Sequence, residues 1–185
     1  MLFWDFLFYS FGGYLLEKWF AKRTGAEKQT RKGLILLPLC PVYGLAMATV
    51  LALPAPARVW PWLPLVTAAT CSAVEYGYHW ACEKILSVKF WDYTGVLGSI
   101  RGRVSLPFSL AWGLLGAAAL TVLQPGLARL MRRIPPAVTF AAVLLVTADA
   151  VCSVRLLKRT GDTESLHLQT LFHPAGIPPK TESDL

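Results

Sequence analysis

The sequence predicts an all-α, polytopic membrane helix bundle of about five transmembrane helices, with a long interfacial or re-entrant loop between the third and the fourth. Three observations predict it. Of 185 residues, 55% are hydrophobic and 16% charged, whereas a soluble domain usually carries about 25% charged residues. Five windows, at 2–20, 33–53, 59–85, 105–123 and 137–157, are mostly apolar over the roughly 17–25 residues that a membrane helix needs. Lys and Arg, finally, concentrate on alternate connections between those windows. The chain divides into one helical membrane domain, 1–157, and a polar, Pro-containing tail, 158–185, whose composition is that of a disordered cytosolic segment.

The first window carries Asp5 near its start and Glu17 beside Lys18 near its end, where charged side chains can reach water. Its apolar run begins at Leu2 and positive charge follows it, so it reads as a retained anchor instead of a cleaved signal. The second opens "KGLILLPLCPVYG", in which Pro38, Pro41 and Gly44 would break or kink a helix beside Tyr43. The third carries Glu75, Tyr76, His79 and Glu83. Nearly twenty residues then follow, "LSVKFWDYTGVLGSIRGRVSLP", too long and too aromatic for an idle connection or a disordered one. The fourth holds Gly113, Gly116 and Ala117 to Ala119, small residues that let helices approach closely in lipid. The fifth carries Asp149 inside the otherwise apolar run "AVTFAAVLLVTADAVCSV".

Basic residues mark cytoplasmic loops. Lys18, Lys22, Arg23, Lys28, Arg31 and Lys32 follow the first window, Lys84, Lys89, Arg101 and Arg103 the third, and Arg155, Lys158, Arg159 and Lys180 the fifth, against Arg58, Arg129, Arg132 and Arg133 on the other side. This places the N-terminus outside and the C-terminus in the cytoplasm of a cell membrane. The formal charge of +7 therefore reads as topology and argues against a nucleic-acid partner. Cys40, Cys71, Cys82 and Cys152 lack zinc-type spacing and read as packing residues. No metal or cofactor is implied. Walker A, G-x-S-x-G and HExxH strings are absent, so the chain has no ATPase or hydrolase motif of its own.

Charged groups inside a membrane helix normally face the protein or an aqueous cavity and mark functional sites. Glu75, His79 and Glu83 recur every four residues and share one helix face. Glu75 and Glu83 lie about 12 Å apart along the axis, beyond the ~5–9.5 Å used by paired carboxylates, so they are not a direct acid–base dyad. A cross-helix partner such as Arg101, Arg103 or Lys84 can neutralise Glu83 or Asp92. The candidate polar site is thus Glu75, Glu83, Asp92, Arg101 and Arg103, supported by Glu17, Tyr43, Tyr76, His79, Trp91, Tyr93 and Asp149.

Taken in order, "GGYLLE", "KGLILLPLCPVYG", "EY" at Glu75 and Tyr76, "EK" at Glu83 and Lys84, "FWDYT" from Phe90, "GRV" from Gly102 and "SLAWG" ending at Gly113 resemble the Putative ABC-transporter type IV family, also labelled CmpB, over about residues 11–116. The sequence departs from that pattern at Tyr14 and Phe90, where tryptophan is usual, at Leu37, where glycine is usual, and at Ser99, where asparagine is usual. The resemblance implies a bacterial integral membrane protein of the inner membrane, a permease-like subunit that needs a separate ATP-binding subunit. Five helices are few for a transport pore, so that reading expects a homo-oligomer or larger complex amid membrane lipid. Two other readings share the same residues. One is an enzyme acting on a lipid or isoprenoid headgroup at the inner leaflet, with arginines holding phosphate. The other is an assembly or scaffold protein whose polar groups fix helix packing.

Overall fold

The computed structural model describes residues 1–25, 37–161 and 163–166, and among them all regular elements are helical apart from one isolated antiparallel bridge, Ile100 to Val104. Helix α1 (Leu2–Thr24) stops at Gly25, whose φ of 63° is the left-handed conformation that ends helices. Helix α2 (Pro41–Ala52) leads through a short 3₁₀ turn, Ala55–Arg58, into α3 (Leu63–Leu86). Helix α4 (Leu106–Met131) and α5 (Pro136–Thr160) follow, then a 3₁₀ turn at Thr163–Leu166. The part of the expected tail at 167–185 lies outside the described residues.

Two of the expected helices differ from their windows. Pro41 does not kink α2 but starts it: Cys40 is extended, its N–H donates to the Ser10 carbonyl at 2.9 Å, and the helix begins beside the middle of α1. With 12 residues, α2 is about 18 Å long, well short of the roughly 30 Å hydrocarbon core. Residues 33–36 of the expected window, with Lys28, Arg31 and Lys32 before them, lie outside the described residues. Helix α4 runs past its expected end to Met131 through a π-helical turn at Ala119–Leu123. Pro125 explains the turn: it has no N–H to donate and its ring crowds the carbonyl four residues back, so the helix widens there instead of stopping.

Among the described residues two helices, α4 and α5, are both long and apolar enough to cross a membrane. Five such spans were expected; the length and apolarity are met by these two. Helices α1 and α3, of 23 and 24 residues, have the length, about 35 Å, but their polar and charged side chains take them below the required apolarity.

Helices α1, α2, α3 and α4 pack in sequence, each on the next. Glycine sets two of the approaches. A Cβ on Gly44 of α2 would run into the Phe6 carbonyl and Ser10 of α1, and one on Gly113 of α4 would lie 2.7 Å from the Pro64 carbonyl of α3. The close packing expected of the small residues on α4 is therefore directed at α3. Helix α5 stands apart: only 6% of its apolar window is buried, with Phe140, Leu144 and Leu145 exposed. Its far end is anchored by Leu157, which joins Cys82, Leu86, Val88, Phe90 and Leu166 in a core cluster.

Candidate functional site

Residues 87–105 form a folded cap over the ends of α3 and α4, and the sequence shows how it is built. Ser87 takes φ 55°, turning the chain out of α3. Asp92 Oδ1 accepts from the Thr94 N–H at 2.8 Å and the Thr94 hydroxyl at 2.5 Å, closing an Asx turn. Arg101 and Gly102 have φ 52° and 69°, and Arg103 N–H donates to the Ile100 carbonyl at 3.1 Å. That is a type I′ hairpin turn, which needs positive φ at both central positions. Gly102 is required twice over, because a Cβ there would also lie 2.5 Å from Asp92 Oδ1. The two turns are joined where Tyr93 N–H donates to the Gly102 carbonyl at 2.8 Å.

The cap delivers side chains to the polar face of α3. Arg103 is buried; its Nε and Nη2 donate to Glu83 Oε2 at 3.1 and 2.7 Å, and its Nη1 donates to the Tyr76 hydroxyl at 2.8 Å. Its guanidinium also lies 5.1 Å from the Tyr76 ring centre. His79 Nε2 donates to the Trp91 carbonyl at 2.8 Å, and Trp91 Nε1 donates to the Arg103 carbonyl at 3.0 Å. His79 Nδ1 is 4.0 Å from Glu83, beyond hydrogen-bond reach. The hydrogen bonds to Glu83 raise the Arg103 guanidinium further above its ordinary range, and Thr94 holds the Asp92 carboxyl below the usual carboxylate range.

Glu75, one turn further into the helix, belongs to a different environment. It is buried, with Oε1 accepting from the Tyr93 hydroxyl at 3.0 Å and Oε2 from Trp112 Nε1 at 2.9 Å. The Trp112 ring packs at 4.6 Å on Tyr43, whose hydroxyl donates to Glu17 Oε1 at 2.8 Å. These groups surround a cavity of about 250 Å³, bounded by α1, the start of α2, α3, the cap and α4. Exposed Trp19 and Phe20 of α1 and exposed Leu115 of α4 form its rim, so it opens between those two helices.

A second polar cluster closes the other end of the same seam. Gln124, just past the π-helical turn, donates from Nε2 to Asp5 Oδ1 at 2.7 Å and accepts from the Tyr9 hydroxyl at 2.8 Å. Asp5 and Tyr9 are buried. Gln124 was not a candidate on sequence, since an amide after an apolar window reads as the start of a loop; the glutamine-proline pair inside a continuing helix was its only signal.

The structure thus separates the candidate residues. Glu75, Tyr93, Tyr43, Glu17 and Trp91 meet at the cavity, while Glu83, Arg103, Tyr76 and His79 form the tie between cap and α3. Asp92 pairs with Thr94 and not with Arg101 or Arg103, because its turn folds it back on its own backbone. Arg101 sits exposed at the hairpin tip. Asp149 accepts from the Leu37 N–H at 3.0 Å, holding the segment that leads into α2. Among the described residues no group of three His, Cys, Asp or Glu side chains could hold a metal ion.

The model of the family described as Putative ABC-transporter type IV matches residues 4–154. The match takes in every residue that lines the cavity and reaches well into α5. No curated protein and no solved structure matches the sequence.

Proposed function

The chain belongs to the Putative ABC-transporter type IV family, and from that premise we propose that it is a multi-pass, permease-like membrane subunit whose ligand passes through or docks in the Glu75 cavity. Membership and the two apolar helices point to a membrane location. In the proposed topology α1 and α3 also lie within the bilayer, with their charges turned inward. The N-terminus is outside, the cap and C-terminus are cytoplasmic, the membrane unit ends near Leu157, and 158–185 is a cytosolic tail. Helix α2 then enters only partway, and broken helices of this kind form binding sites at membrane depth in transporters.

The observation that carries the reading is the cavity itself: a buried carboxylate, Glu75, held by Tyr93 of the cap and Trp112 of α4 at the base of a space open between two helices. A cap that touches both the α3 tie and the cavity wall is suited to couple the site to an ATP-binding subunit on the cytoplasmic side. The headgroup-enzyme reading is weaker, because Arg103 is engaged by Glu83 and Tyr76 and does not line the cavity. The scaffold reading gives the cavity no role.

Gentle purification from the native membrane, followed by mass spectrometry and an ATPase assay, tests the proposal. A stoichiometric ATP-binding subunit with vanadate-sensitive activity is expected, together with more than one copy of this chain per complex. A lone chain with no ATPase would overturn it.

A further inference from the structure

We propose that the cavity takes one hydrocarbon chain of an anionic membrane lipid, which enters between α1 and α4 while its phosphate stays outside on Lys22 and Arg23. This deepens the transporter reading and rests on it only for the membrane setting.

Apart from Glu17 and Glu75, every residue lining the cavity is aromatic, aliphatic or cysteine. The two acids are engaged by the protein itself: Glu17 takes the Tyr43 hydroxyl, and Glu75 takes Tyr93 and Trp112. They hold three of the rings that wall the space, and the surface left to a ligand is mostly apolar. The opening carries the same character outward. Exposed Trp19, Phe20 and Leu115 form the rim, and exposed Leu110 and Leu114 lie beside it on α4. Contiguous exposed apolar surface marks contact with a membrane or a partner. A hydrocarbon chain passing in from that surface meets apolar groups throughout, whereas a polar solute would first give up its hydration at the rim. The volume, about 250 Å³, lies below the roughly 300–1,000 Å³ of drug-sized sites, enough for part of one chain and too small for a whole lipid, so a headgroup remains outside. What it meets there is set by α1. Arg23 follows Phe20 by three residues and Trp19 by four, and Lys22 follows Trp19 by three, so both cations lie one helical turn past the rim. Both are exposed, and the Arg23 guanidinium lies 5.4 Å from the Trp19 ring centre. A guanidinium beside an ammonium suits a phosphate, and Lys and Arg at a membrane surface draw anionic lipids. Charge therefore selects the headgroup, and the cavity holds the tail.

The test uses the full chain in dodecyl maltoside, a neutral detergent, with phosphatidylglycerol bearing a photoreactive diazirine in one acyl chain, its adducts mapped by mass spectrometry after irradiation. Adducts are expected on the lining residues Tyr93, Phe108 and Trp112. Unlabelled phosphatidylglycerol should suppress them at least tenfold more effectively than phosphatidylcholine, whose phosphate is offset by its own ammonium. Ala111→Trp, at an exposed lining position, fills the mouth and should reduce these adducts tenfold or more with the melting temperature retained. Lys22→Gln combined with Arg23→Gln should bring the two lipids within about threefold of each other. Adducts confined to the outer faces of α4 and α5, or equal suppression by the two lipids, would overturn the proposal, as would unchanged labelling and selectivity in both folded variants. If a variant does not fold, adduct position and lipid competition on the unaltered chain decide alone. Cavity labelling without a co-purifying ATPase would remove the transporter reading alone, and an ATPase partner without cavity labelling would remove this one alone.

Discussion

At the Gln124 end of the seam between α1 and α4, Asp5 is buried against an amide that also takes the Tyr9 hydroxyl, and the 250 Å³ cavity does not reach it. At the cap end Glu75 is equally buried, yet its two donors come from Tyr93 of a loop and Trp112 of a helix, and open space lies beside it. Both carboxylates satisfy the rule that buried charge must be hydrogen-bonded. The difference lies in what surrounds the bonds. A carboxylate closed in by one helix-borne amide pins two helices together, whereas one held between a loop and a helix and facing space can respond to a ligand.

The sharpest way to break that comparison is Glu75→Gln, which keeps shape and one acceptor but removes charge. It should reduce partner-coupled ATPase stimulation tenfold or more while the melting temperature stays near that of the unaltered chain. At the closed end, Gly44→Ala forces a methyl group into the Phe6 carbonyl, and overpacking of that kind costs about 1–3 kcal/mol. Denaturant unfolding should show the loss. Asp5→Asn should cost less, about 1 kcal/mol, because the side chain still accepts from Gln124; its effect should appear in unfolding and leave ligand binding unchanged. Arg103→Lys loses the planar fork that serves Glu83 and Tyr76 together, and hydrogen exchange across 87–105 should quicken while the Asp5 end is unaltered.

The smallest effect is a dependence on pH. The Asp92 carboxyl is held below its usual range by Thr94, so its support of the turn is complete above the ordinary aspartate value of about 3.9 and is lost as pH falls through the lower folded value. Exchange of the Thr94 amide should therefore accelerate only in acid below that point, and acceleration near neutral pH would contradict the assignment.

Much of this site was legible in the sequence. Glu75, His79 and Glu83 share a face because the helical period requires it, and that face is turned inward, with Glu75 and His79 buried. The cap was legible as folded from its aromatics, and the "GRV" string proves to be a left-handed turn followed by an ion-pairing arginine. What sequence could not supply was partner choice. Arg103 and Arg101 are two residues apart, and only the hairpin geometry decides which one reaches Glu83. Proline was read as a kink in α2 when it is a start, since the pattern alone does not tell a broken helix from one that begins late. The Gln124 bridge was hidden because α4 was expected to end before Pro125, and a π-helical turn leaves no periodic trace in composition.

The most direct test of the account sets two variants side by side: melting temperature and partner-stimulated ATPase activity of Glu75→Gln and of Asp5→Ala in the same reconstituted complex. The account predicts opposite losses, with Glu75→Gln folded but inactive and Asp5→Ala less stable but active when folded. If both variants lose stability alike and neither loses activity beyond its folded fraction, the two carboxylates are equivalent packing devices and the cavity is not the functional site.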